Sequence, residues 1–150
     1  MSIGPSQMNA WRAFLESHAF VLRRLERELA DETGLPLTWY DVLFQLKEHG
    51  GRIRIGELAE ELLVSRSATT RFVDRLERSQ LITREPCAED RRGTWVVLTD
   101  DGLAALRSAA PVHLRGVQRY FSEQLTGEEA EALAGLLGKL VQPARQPAAG

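Results

Sequence analysis

The residues best suited to chemistry lie in one run, Ser65-Arg66-Ser67-Ala68-Thr69-Thr70-Arg71, with Arg75 one turn further on. Short hydroxyl side chains donate and accept hydrogen bonds. Arginine presents a planar fork of donors matched to phosphate oxygens and to the major-groove edge of guanine. At the N-terminus of a helix, where free backbone N–H groups already favour anions, that set fits the phosphates and base edges of duplex DNA. A capped surface helix would carry the same residue types, so the run alone leaves both readings open. A second charged group, Glu89-Asp90-Arg91-Arg92-Gly93, sets paired arginines beside a glycine that permits a turn. Arginines at the tip of a narrow ribbon suit a narrow minor groove, with Asp90 orienting an arginine or closing the turn.

Other chemistry is thinly represented. His18, His49 and His113 fall in separate predicted helices, Cys87 is the one cysteine, and no glycine-rich phosphate loop occurs. Glu57, Glu60 and Glu61 read as the solvated side of a helix. No enzyme, metal site or cofactor is therefore expected.

The elements that must position these residues follow from periodicity. Trp11, Leu15, His18, Leu22, Leu25 and Leu29 recur at steps of three and four, which predicts an amphipathic helix from Asn9 to about Gly34. Thr38 caps a second helix with Asp41 in its first turn, and Gly50-Gly51 ends it. Arg52-Ile53-Arg54 is a short extended piece, and a short third helix runs from Ile55 to Leu62. Leu63-Val64 turns the chain, Ser65 caps a fourth helix, and Phe72, Val73 and Leu76 form its apolar face. Leu81-Ile82-Thr83-Arg84 and Trp95-Val96-Val97-Leu98 are β-type runs flanking a polar tip, which predicts a hairpin. Helix resumes at Thr99, with Leu103, Leu106, Ala110, Leu114, Val117 and Phe121 inward and Pro111 bending it. Thr126-Gly127-Glu128-Glu129 is a capping box before a stripe of Leu133, Leu136, Leu137, Leu140 and Val141.

Two short helices joined by a tight turn and followed by a charged hairpin are, in order, the parts of a winged helix-turn-helix. The expected fold is mainly α with a small β-hairpin wing, flanked by N- and C-terminal dimerisation helices. A single domain covers 1–150. Residues 9–34 and 103–142 form the dimerisation helices, 38–99 the winged lobe and 143–150 a disordered tail. The two apolar stripes exceed what a small winged lobe needs, so a two-fold homodimer is expected to hide them.

Composition permits this reading. The chain has 150 residues, 43% of them apolar, enough for a packed core. Net charge is only -2, yet from Ser65 to Arg92 seven arginines stand against five acids, so the middle is locally basic. No secretory leader and no run of about eighteen uncharged apolar residues is evident, and a cytoplasmic protein without a membrane span is expected.

Ile55 to Leu62, Ser65 to Glu77, Leu81-Ile82 to Arg84, Asp90-Arg91-Arg92-Gly93 and Leu98-Thr99-Asp100-Asp101-Gly102 together resemble the MarR family of transcription regulators. The resemblance spans about Trp11 to Val141. It implies that Ser65 to Arg71 contact the major groove, that Arg92 enters the minor groove, and that the terminal helices form the dimer. It further implies a repressor on a palindromic operator. Gln80 departs from the family, which usually has glycine there to end the recognition helix in a left-handed turn. Members commonly respond to small aromatic or phenolic ligands between the dimer helices and the DNA-binding lobe. Trp11, Phe14, His18, Trp39 and Tyr40 are candidates to line such a pocket, with His18 pairing an anion. The alternative is that they are core and interface residues. Two other readings stand beside these: redox sensing through Cys87, and a winged helix that binds protein instead of DNA.

Overall fold

The computed structural model describes residues 1–89 and 93–145. Helix α1 spans Pro5–Thr33, α2 Leu37–Glu48, α3 Ile55–Leu62, α4 Arg66–Arg78, α5 Asp100–Tyr120 and α6 Gly127–Arg145. Strands β1 (Arg52–Arg54), β2 (Ile82–Pro86) and β3 (Thr94–Leu98) form an antiparallel sheet in the order β1-β3-β2. The mainly α architecture with a small wing matches the expectation.

Several boundaries differ for identifiable reasons. Helix α1 begins at Pro5 instead of Asn9, because proline at the first helical position needs no N–H partner and presets φ. Helix α2 begins at Leu37, with Pro36 in the cap position, so Thr38 is not the cap and Asp41 lies beyond the first turn. The Pro36 carbonyl accepts from the backbone N–H groups of Trp39 and Tyr40, each at 3.0 Å, and a side-chain cap is not required. The wing is a three-stranded sheet, not an isolated hairpin. Arg52-Ile53-Arg54 pairs with β3, Ile53 opposite Val96, although three residues are too few to display strand alternation in sequence. Helix α6 continues to Arg145, past the boundary at 142, while residues 146–150 of the expected tail lie outside the described residues.

The core is built where helix stripes meet the inner face of the sheet. Leu29, Val42, Leu43, Leu46, Ile53, Leu58, Val73, Leu76, Ile82 and Val96 are all fully buried. Each such side chain contributes about 1.5–3 kcal/mol by leaving water. Leu114 and Phe121, read as inward-facing, are instead 62% and 44% exposed. Helix α5 buries Leu106, Ala109, Val112 and Gly116, and its other face stands clear of the protomer.

The Leu-Thr-x-x-Gly segment has a physical explanation. Thr99 caps α5, its Oγ1 accepting from the Gly102 N–H at 3.0 Å and donating to the Gln80 carbonyl at 2.8 Å. The Thr99 N–H donates to the Leu81 carbonyl at 3.2 Å. These bonds draw α5 onto the end of α4 so closely that a Cβ at residue 102 would sit 2.0 Å from the Leu81 oxygen. Gln80 occupies the left-handed region at φ 63, in agreement with the expectation for the position that departs from the family. Gly102→Ala is expected to destabilise by about 3 kcal/mol, since backbone must move. Gln80→Gly is expected to stabilise by about 1 kcal/mol by removing the left-handed penalty. Chemical denaturation of both variants tests the pair.

Candidate nucleic-acid interface

The turn between α3 and α4 places Leu63 in the left-handed region at φ 57, which lets two short helices meet across three residues. Ser65 then caps α4, its Oγ accepting from the Ala68 N–H at 3.1 Å. This is the cap expected from sequence. Val73 and Leu76 anchor α4, which packs on α2, α3 and β2. The opposite side is free. Ser65, Arg66, Ser67, Arg71, Arg75 and Arg78 are exposed, and Ala68 and Thr70 are half-buried.

Thr69 corrects the sequence reading. It is fully buried among core residues, with its Oγ1 donating to the Ser65 carbonyl at 3.0 Å. It is an anchor and cannot touch a base from that position. The Thr70 hydroxyl donates to the Arg66 carbonyl at 3.0 Å and keeps its lone pairs for an outside donor. Arg66 extends over the start of α3, where Gly56 leaves space for its guanidinium.

Charge on α4 is sorted by side. Its acids, Asp74 and Glu77, both pair with Arg84 of β2, the second contact at 3.6 Å. The outer side therefore keeps Arg66, Arg71, Arg75 and Arg78 without an acidic counterpart on the helix. Arg84 was not singled out from sequence. Its signal was alternation: two residues after Ile82, it shares the face of β2 that looks toward α4. On the outer side of the sheet, the Arg52 and Arg54 guanidinium carbons lie 4.0 and 5.3 Å from the Trp95 ring centre. Arg54 also reaches Glu89 at 3.8 Å. Asp90, Arg91 and Arg92 lie outside the described residues. Cys87 is buried just beyond the outer end of β2, where its N–H donates to the Gly93 carbonyl at 3.1 Å.

The aromatic candidates fall into two groups. Trp11, Phe14 and His18 stack along the exposed side of α1, with ring centres 6.1 and 6.5 Å apart. Trp39 is half-buried against the core. Tyr40 is buried, parallel to Phe44 at 6.2 Å and 4.5 Å from the His113 ring. No ring contact joins the groups among the described residues. A cavity of about 290 Å³ adjoins Tyr40 and is lined by Tyr40, Asp41, Phe44, Gln45, His113 and Leu114. Of these, only Tyr40 was expected. The Tyr40–Phe44 spacing of four signals a shared helix face, whereas His113 arrives from α5 through tertiary packing alone.

Titration in this cavity is perturbed. Removal of water raises the Asp41 carboxyl from 3.8 to about 6, and the negative charge of Glu26 on α1 adds to it. The Asp41 side chain is nonetheless exposed at the mouth of the cavity, so solvent screens much of this cost. Burial lowers the His113 value and raises that of Tyr40, to which Asp41 adds. Because the folded Asp41 value lies above its ordinary one, the carboxylate opposes folding once ionised. That cost is absent below 3.8, grows up to about 6 and is constant above. Asp41→Asn is expected to raise Tm above neutrality and to leave it unchanged in acid, as thermal melts across pH will show.

Comparison with known proteins agrees with this geometry. The MarR family model matches residues 33–93. The HTH-type transcriptional repressor MdtR of Bacillus subtilis (strain 168) is 35% identical over 117 residues, 78% of this chain and 74% of that protein. AbsC, a MarR family transcriptional regulator from Streptomyces coelicolor, superposes with a TM-score of 0.89 at 32% identity, over 97% of this chain and 98% of that one. Sco3205 from the same organism, a MarR family regulator solved in complex with DNA, superposes with a TM-score of 0.90 at 31% identity, over 100% and 94% of the two chains. The capped, one-sided α4 behind its wing and these whole-length similarities have one conclusion: the chain belongs to the MarR family of DNA-binding transcriptional regulators.

Proposed function

We propose that the chain is a homodimeric repressor that reads a palindromic operator and is released from it by a small aromatic ligand. The observation that carries the DNA-reading part is the one-sided anchoring of α4: Thr69, Val73 and Leu76 are buried, and Ser65, Arg66, Ser67, Arg71 and Arg75 opposite are exposed. In this reading Ser65, Arg66, Ser67, Ala68, Thr70, Arg71 and Arg75 face the major groove. Thr70 and Ser67 read base edges, and the arginines hold phosphates or guanine. Asp90, Arg91 and Arg92 form the wing tip, with Arg92 in the minor groove.

Dimerisation draws support from apolar side chains that the protomer leaves in water. Trp11, Phe14, Leu15 and Phe20 on α1, Leu114 and Phe121 at the end of α5, and Leu136, Leu140 and Val141 on α6 are all exposed. Covering them with a second copy would remove a large unfavourable surface and set two α4 helices about one turn of DNA apart. Repression is supported by the similarity to a relative named as a repressor. The effector reading rests on the cavity beside Tyr40, which spans α2 of the DNA-reading lobe and α5 of the terminal helices. A ligand seated there would bias the angle between them.

Selection from a random DNA pool by the purified protein tests the proposal. Enrichment of a palindrome with half-site centres about ten base pairs apart is expected. Arg92→Ala should weaken binding to every sequence and flatten its salt dependence, whereas Ser67→Ala or Thr70→Ala should change the enriched bases. A folded protein that enriches nothing at low salt would overturn the reading in favour of a protein-binding winged helix.

A further inference from the structure

The free edge of the sheet brings two arginines to one ring. Strand β1 pairs only with β3, and its Arg52 and Arg54 share the outer face while Ile53 between them is buried. Arg54 lies opposite Trp95. Arg52 lies opposite Val97 and leans along the strand to set its guanidinium 4.0 Å from the Trp95 ring centre. The Arg54 guanidinium stands 5.3 Å from the same centre. Two like charges thus converge on one half-buried indole. Contact with the ring offsets part of their repulsion, and a guanidinium over a ring keeps its in-plane N–H groups for an outside acceptor.

Neighbouring acids leave this pair largely available. Among the described residues only Glu89 pairs with either guanidinium, at 3.8 Å from Arg54, and its side chain is 88% exposed, so water screens it. Glu57, in the first turn of α3, pairs with neither among the described residues. Glu85 lies opposite Trp95 on β2, with β3 between it and the arginines.

Position says which acceptor fits. Arg54 is also the N-cap of α3, and two residues on, at Gly56, the Arg66 guanidinium from the start of α4 comes within 3.3 Å of where a Cβ would stand. In the other direction Arg54 reaches Glu89, the residue before the proposed wing tip. The pair therefore lies between the N-terminus of α4 and the tip. A major groove and the minor groove beside it are separated by one sugar–phosphate strand. With α4 in the first and the wing in the second, that strand crosses the start of α3 and the end of β1. We propose that Arg52 and Arg54 together hold a phosphate of this crossing strand, with Trp95 as the residue that positions them. The two non-bridging oxygens of a phosphodiester offer one acceptor to each fork, and the contact is indifferent to base sequence.

This assignment rests on the DNA-reading role of α4, and the test separates the two. Binding of the full-length protein to the duplex recovered by selection is followed by fluorescence anisotropy across a range of salt. The double variant Arg52→Gln/Arg54→Gln, checked for fold by thermal melting, is expected to bind about tenfold more weakly, with a salt slope lower by about 0.9 per protomer and the same enriched sequence. Arg52→Lys/Arg54→Lys should keep most of the slope. Trp95→Leu should weaken binding about threefold, Trp95→Phe less, and the Trp95→Leu loss should vanish in the double-Gln background, which a general loss of wing stability would not produce. Uncharged methylphosphonate linkages in the crossing strand should weaken the wild type and leave the double-Gln variant unchanged. An unaltered slope in the double-Gln variant overturns the assignment and leaves the reading of α4 standing, whereas a folded wild type that binds no DNA overturns both. A Trp95→Leu loss that persists in the double-Gln background overturns the positioning role of Trp95.

Discussion

The structure depends on the burial of one side of α4. A helix that reads DNA must give up its outer face, so every contact that holds it comes from the rest. Val73 and Leu76 supply the apolar anchor, and Thr69 satisfies its hydroxyl on the Ser65 carbonyl so that it can join them without an unmet polar group. With Ser65 capping the first turn, the N-terminus of α4 is fixed in direction as well as position. The arginines opposite then need no internal partner. Their mutual repulsion is a tolerable cost only while the anchor holds.

Two contacts transmit that position to the neighbouring elements. Arg84 spans from β2 to Asp74 and Glu77, which gives both acids of α4 a shared cationic partner and ties the wing to the helix. Thr99 and Gly102 bring the start of α5 against the Leu81 carbonyl, at a distance that excludes any side chain at residue 102. Helix α5 continues to Gly116, where a Cβ would sit 2.6 Å from Leu25 Cδ2 on α1. A continuous path of close packing thus runs from the reading helix to the terminal helices. The α2–α5 cavity lies beside it, where a bound group would act on both ends.

Local signals were read well where they rested on local physics. The Ser65 cap, the Thr126–Glu129 capping box, with its two bonds of 2.9 and 3.2 Å, and the left-handed Gln80 depend on neighbours within a few residues. Thr69 was misread because hydroxyl chemistry suggested a contact, while helical phase placed it with Val73 and Leu76. Leu114 and Phe121 were misread because one apolar stripe on α5 could not be divided between the protomer core and a second surface. Within the protomer the aromatic set divides for a similar reason. Residue type grouped Trp11, Phe14 and His18 with Tyr40, but α1 carries the first three away along an exposed side.

By itself the sequence determined the order of elements, the turn between α3 and α4, the capped arginine-bearing helix and the pattern that places the chain in its family. Each is set by periodicity, capping or glycine and proline geometry acting over a turn or two. Only the tertiary structure decided that Arg84 serves α4, that Thr69 is an anchor, and that Asp41 and His113, 72 positions apart, border one cavity. Those outcomes depend on which faces meet when α5 crosses α2 and β2 crosses α4. Ion pairing and desolvation arise from that meeting, and no local pattern encodes them.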